Sequence, residues 1–160
     1  MAPSIDLSIN GQVVSVDAVE SATLIDVLRN RLELRAARYG CGTEQCGACT
    51  VLVDGEPAYA CTRLVSTLEG RRIVSPEGLA CDGSLEPLRQ AFIAEQAGQC
   101  GFCLSGILMS ARALIGRNPA PTRAEIAAAL DRHLCRCGAH NRIIRAVARA
   151  AATMRVGQAG

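Results

Sequence analysis

Apolar and polar residues alternate with a period of two at the start of the chain: Ile5, Leu7 and Ile9 alternate with Asp6 and Ser8, and after Asn10-Gly11 the pattern resumes at Val14 and Val16. An Asn-Gly pair between alternating segments predicts a two-residue hairpin, so two strands open the molecule. Thr23 followed by Asp26 resembles a helix-opening cap. Leu24, Ile25, Val27, Leu28 and Leu32 then give a short helix a buried face to lay over that hairpin. Residues 40–49, GCGTEQCGAC, are too rich in glycine for regular structure. Beyond them Thr50–Val53, a turn at Asp54-Gly55, and Pro57–Thr62 predict a second hairpin, and a last strand falls near Arg72–Ser75.

From about residue 84 the period changes to 3.6. Ser84 is placed to cap a helix carrying Leu85, Leu88, Ala91 and Phe92, with Pro87 tolerated in its first turn. Ile107, Leu108, Ala111, Leu114 and Ile115 share one face of a second helix. Thr122-Arg-Ala-Glu125 is a capping box that opens a third with Ile126, Leu130 and Leu134. Ile143, Ile144, Val147, Ala151 and Met154 mark a fourth. Each helix is apolar on one stripe only, so the four must pack together to bury those stripes. The pattern predicts an α+β lobe over residues 1–76, a linker over 77–83 and an all-α lobe over 84–156, with a frayed tail at Gly157-Gln-Ala-Gly160.

Composition narrows the chemistry. The 160 residues are 49% hydrophobic with mean hydropathy +0.20, enough for packed cores. All 17 basic residues are Arg, which removes phosphate-loop and Schiff-base lysines. The net charge of +2 and the scarcity of aromatics give no footprint of nucleic-acid binding. No apolar run approaches the ~18 residues a membrane span needs, and the start MAPSIDLSINGQ has no leader pattern, so a cytoplasmic location is expected.

The outlier is cysteine, nine residues in all. Cys41, Cys46, Cys49 and Cys61 form C-x4-C-x2-C-x11-C, the plant-type [2Fe–2S] spacing. Three thiolates come from one glycine-rich loop and the fourth from the strand behind it. Gly40, Gly42 and Gly47 let backbone N–H groups turn toward the sulfurs. A structural zinc site is the alternative, although zinc motifs usually place two short hooks further apart. Cys100, Cys103, Cys135 and Cys137 form C-x2-C-x31-C-x-C at two helix–helix junctions, with Gly101 and Gly106 flanking the first hook and Gly138 following the second so that the backbone can fold over a cluster. Alone, this set suits zinc or iron–sulfur equally; beside the first set, iron–sulfur is preferred. Cys81 has no spacing partner and receives no role. Arg142, Arg145 and Arg149 share a stripe read as solvated, with docking as the alternative.

The runs YGCGTEQCGACTV, QCGFC and LCRCGAHNRI resemble the small iron–sulfur subunit of the xanthine oxidase family of molybdenum hydroxylases, over residues 4–155. The resemblance implies an α+β chain: an N-terminal β-grasp, plant-type ferredoxin domain followed by a C-terminal four-helix [2Fe–2S]-binding domain. It assigns Cys41, Cys46, Cys49 and Cys61 to an outer cluster, and Cys100, Cys103, Cys135 and Cys137 to an inner cluster nearer molybdenum. Gln99 matches a glutamine that contacts the pterin of a molybdopterin cofactor in a large partner subunit, expected in its cytosine dinucleotide form. The acceptor would be an FAD-binding subunit or a haem-bearing, cytochrome c-type partner. Leu104-Ser105, His133 and His140 depart from the usual pattern, although Ser105 can still cap the second helix. The CGFCLSG form is most similar to bacterial hydroxylases of nicotinate and related N-heteroaromatic rings. The chain is then expected to relay electrons and to carry no substrate chemistry itself; a free ferredoxin-like carrier and a zinc-stapled interaction module are the alternatives.

Overall fold

The computed structural model describes residues 4–17 and 22–158. Met1–Pro3, Ala18–Ser21 and Ala159–Gly160 lie outside the described residues, including the end of the tail expected to fray. Two hairpins build the first lobe. Strands β1 (Ser4–Ile9) and β2 (Gln12–Asp17) pair antiparallel, as do β3 (Thr50–Val53) and β4 (Glu56–Tyr59). Both connections are the two-residue turns read from the sequence, with positive φ at Asn10 and Gly11 and at Asp54 and Gly55; that geometry matches the twist of the flanking strands. The hairpins meet through β5 (Arg72–Val74), parallel to β1 and antiparallel to β3, giving the order β2-β1-β5-β3-β4.

A helix covers the sheet as expected. It begins as α1 (Leu24–Asp26) and continues through a wider π turn, Val27–Arg31, burying Leu24, Ile25, Val27 and Leu28 against Leu7, Ile9, Val51 and Ile73. Leu32 stays only partly buried at its end. Thr23 sits at the cap in extended conformation but its side chain makes no capping bond; its backbone instead bridges to Leu64, which holds the helix start from outside.

Helices α3 (Glu86–Ala94), α4 (Leu104–Arg117), α5 (Arg123–Leu130) and α6 (His140–Gln158) share a second core of Leu88, Phe92, Ile107, Leu114, Ile126, Ile143 and Val147. The Thr122/Glu125 capping box is present in full. Several local readings are corrected. The helix cap expected at Ser84 falls instead at Leu85, and the Ser84 hydroxyl turns back to donate to the Leu79 carbonyl at 3.5 Å. Helix α5 ends at Leu130, so Leu134 belongs to the following loop and is exposed. Gly157 and Gln158 continue α6. The stretch read as a linker carries a helix, α2 (Pro76–Cys81), whose Leu79 is buried with Leu52 of β3 and Met109 and Ala113 of α4. That third, small core joins the two lobes. No helix of the described residues is long and apolar enough to cross a membrane.

Candidate metal centres

The first cysteine set is wound around its own backbone amides. The Cys41 amide donates to Cys46 Sγ at 3.4 Å, and the amides of Thr43 and Gln45 donate to Cys41 Sγ at 3.4 and 3.2 Å. A Cβ added at Gly40 would lie 2.7 Å from Cys46 Sγ, so the loop closes on its sulfurs because Gly40 has none. These amides, Thr43 first, pull the exposed Cys41 thiol down to about 6. Backbone donors favour thiolate, the form that binds metal. Cys49 and Cys61 are buried behind the loop, and burial pushes the Cys49 thiol up to about 12, with the neighbouring Cys61 side chain adding to the rise. Cys61, expected on a strand, falls in the turn two residues after β4, which ends at Tyr59. The turn lets its sulfur face Cys49 instead of alternating with the pleat.

The second set gathers where helices end. Cys100 and Cys103 precede α4, and Cys135 and Cys137 lie between α5 and α6. Cys103 is buried and its thiol rises to about 12, through burial first and then the adjoining Cys135 side chain. Exposed Cys100 is shifted the other way by the Phe102 amide and then by Cys137. For Cys135, burial alone would raise the thiol, yet the amides of Ala139, Cys137 and Gly138 together with Cys103 bring it below its ordinary value. Within each set the thiols influence one another: Cys61 acts on Cys49, Cys135 on Cys103, and Cys137 and Cys135 on Cys100. Among the described residues, no three His, Cys, Asp or Glu side chains are arranged to hold a single ion. A two-iron core takes four thiolates, with hydrogen bonds to the sulfurs tuning it. The donor set, four thiols with converging amides at each site, fits such a cluster.

Gln99 is exposed, its Nε2 donating to the Cys137 carbonyl at 3.3 Å, so it braces the inner loop. It also lines an open groove of about 640 Å³ with Arg89, Phe92, Ile93, Leu104 and Arg142. Ser105, expected to cap α4, lies inside the helix behind Cys103, and its Oγ is buried without a partner. Gly106, expected to fold over the inner site, instead faces the outer loop, where a Cβ would come 2.0 Å from the Gly47 carbonyl. Arg145 and Arg149 both pair with Glu95, at 3.1 and 3.4 Å, so two of the three arginines on that stripe brace α6 on α3. Cys81 is exposed at the end of α2, distant in sequence and role from either set.

Sequence reasoning assigns no role to His133, which is 3% exposed and shares a 2.7 Å hydrogen bond between its Nε2 and Ser110 Oγ. Burial lowers its pKa to about 4, so the ring is neutral near pH 7. Its partners are distant in sequence, and its one signal along the chain is the departure from the resembled pattern. His140 proves to be a hydrogen-bonding residue, its Nε2 donating to the His133 carbonyl at 3.2 Å.

Comparison with known proteins agrees with this chemistry. Residues 7–84 match a model described as a 2Fe-2S iron-sulfur cluster binding domain, and residues 75–148 one described as a [2Fe-2S] binding domain. The chain is 46% identical over 155 residues to one of the subunits of nicotinate dehydrogenase from Pseudomonas putida, covering 97% of this chain and 99% of that one. It is 44% identical over 148 residues to the alpha subunit of isoquinoline 1-oxidoreductase from Brevundimonas diminuta, covering 92% and 97%. A chain of quinoline 2-oxidoreductase from Pseudomonas putida 86 superposes with a TM-score of 0.84 at 34% identity over 97% of both chains. Two iron–sulfur domain matches on one chain, and full-length likeness to such oxidoreductase subunits, lead to one conclusion: the chain belongs to the iron–sulfur subunits of the xanthine oxidase family of molybdenum hydroxylases, and its role is electron transfer.

Proposed function

We propose that the chain is a two-site electron relay, with Cys41, Cys46, Cys49 and Cys61 holding an outer [2Fe–2S] cluster and Cys100, Cys103, Cys135 and Cys137 an inner one. The observation that carries this reading is the serial order of the sulfurs. Each set has one exposed member, Cys41 or Cys100. Between the sets the Leu134 amide, next to Cys135, donates to the Cys46 carbonyl at 3.1 Å. Each site therefore has an outward edge and an inward edge that meets the other site. When bound, each cluster supplies a one-electron carrier. The chain's own residues set its environment: amides of Thr43, Gln45, Phe102 and Ala139 stabilise thiolate charge, while buried Cys49, Cys61 and Cys103 sit in the apolar cores that exclude water.

The division into a β-grasp ferredoxin domain over 1–76, a connector over 77–83 and a four-helix domain over 84–156 is supported by the separate cores, with α2 as the connector's helix. Gln99 is assigned to the pterin of a molybdopterin cofactor, in its cytosine dinucleotide form, held by a large partner subunit; the groove beside it is the surface offered there. The relatives act on nicotinate and isoquinoline by name, which supports an N-heteroaromatic substrate for the complex. Electrons leave past Cys41 to an FAD-binding subunit or a cytochrome c-type haem partner. No side chain of this relay needs to touch substrate.

The test is metal analysis of the purified complex. Two clusters require about four iron and four acid-labile sulfide per copy of this chain; stoichiometric zinc without iron would overturn the reading.

A further inference from the structure

The two cysteine sets lie on different lobes, and a buried polar seam joins them. His133 stands two residues before Cys135. Its amide donates to the Leu130 carbonyl at 2.9 Å, its Nε2 shares the 2.7 Å hydrogen bond with Ser110 Oγ of α4, and its carbonyl accepts from His140 Nε2 at 3.2 Å. The remaining ring nitrogen, Nδ1, is buried, and the Gly47 backbone beside it gives it no hydrogen bond of normal geometry although it acts on the ring. It lies against Gly47, inside the outer loop, where a Cβ would come 2.3 Å from it. From another side α4 closes on the same glycine through Gly106. The next amide after His133, that of Leu134, is the one that donates to the Cys46 carbonyl.

A leucine of similar volume would fill this space without an unpartnered polar atom, and leaving one buried is unfavourable. What an apolar filler lacks is direction. The Ser110 bond fixes the rotation of the ring, and the ring edge then fixes how closely the Gly47 peptide approaches the Leu134 amide. We propose that His133 is a positioning residue for electron transfer between the two sites: its imidazole, clamped by Ser110 and pressed on Gly47, holds Leu134 N–H on the carbonyl of Cys46. The result is a connection from Cys46 Sγ to Cys135 Sγ made of covalent bonds and one hydrogen bond. Transfer along it moves one electron, oxidising the donor site and reducing the acceptor site, with no proton moved and no bond made or broken on this chain. This inference rests on the eight cysteines being the ligands of two clusters.

The experiment uses the intact complex carrying His133→Ala, His133→Gln or Ser110→Ala. Iron and acid-labile sulfide are measured first. One electron is then injected by a photoreductant, and rapid-freeze paramagnetic resonance follows its passage from the inner to the outer signal. His133→Ala should keep wild-type iron yet pass the electron several-fold more slowly, with Ser110→Ala slowed in the same direction. His133→Gln, whose amide reaches as far as Nε2, should restore the wild-type rate, which a role in space filling alone would not require. A wild-type rate in iron-replete His133→Ala, or no recovery with His133→Gln, would overturn the proposal. If His133→Ala loses iron, Ser110→Ala carries the test, and a wild-type rate there overturns it. Absence of iron from the wild-type complex would instead overturn the cluster reading itself.

Discussion

The outer and inner cysteine sets solve one chemical problem by different means. In the outer set three sulfurs and their amide donors come from residues 40–49, a single loop that supplies its own donors. In the inner set the two hooks are separated by the whole of α4 and α5 and meet only when four helices share a core. A local loop loses little chain entropy on closing, whereas the inner set draws its order from apolar burial. The inner site should therefore be the one that packing damage reaches first.

Removing a ligand is the largest expected effect. Cys103→Ala should abolish the inner cluster, halve the iron content and loosen the helical lobe, because ligation energy is partly folding energy. The outer paramagnetic signal should persist; loss of both signals would show that the sites do not form independently. Next comes the shared core. Met109 is fully buried between the lobes with Leu52 and Leu79, so Met109→Ala should cost about 2–5 kcal/mol in denaturant unfolding. A two-step unfolding curve in that variant would show the lobes separating.

The thiols sharpen the contrast in metal-free protein. Cys41 is lowered to about 6 and Cys103 raised to about 12. At pH 7 iodoacetamide should label Cys41 first and Cys49 and Cys103 last, read by peptide mass mapping. The signs also differ for stability. A depressed thiol such as Cys41 favours the fold above its ordinary value of 9.0 and loses that contribution as pH falls through about 6; a raised one such as Cys103 favours it below 9.0 and loses it as pH rises toward about 12. Uniform labelling of all the cysteines at pH 7 would remove the distinction. The smallest effect is local: Thr122→Ala, which breaks the α5 capping box, should cost about 1 kcal/mol and leave the outer site unchanged in thermal unfolding followed at each cluster.

Both hairpins, with their Asn10-Gly11 and Asp54-Gly55 turns, are legible in the sequence because turn chemistry and period-two alternation are local signals. The capping box and the apolar stripes of α3 to α6 are legible for the same reason. Capping is misleading at Thr23, Ser84 and Ser105: Thr23 holds the cap position without a side-chain bond, and the helices near Ser84 and Ser105 are capped at Leu85 and Cys103 instead. Helix α2 escapes notice because six residues with one buried leucine carry too little periodicity to stand out from a linker.

The eight cysteines and their two spacings are properties of the chain alone, because ligand type and loop length already restrict which metal core can be wrapped. How those sets face each other is not. His133 meets Ser110 and Gly47, and Gly106 meets the Gly47 carbonyl, across long stretches of chain. Such contacts leave no periodic trace, since each depends on where two separately formed cores come to rest against one another. Which sulfurs each site can offer is thus written along the chain, while the way the two sites are joined is settled only when the lobes pack.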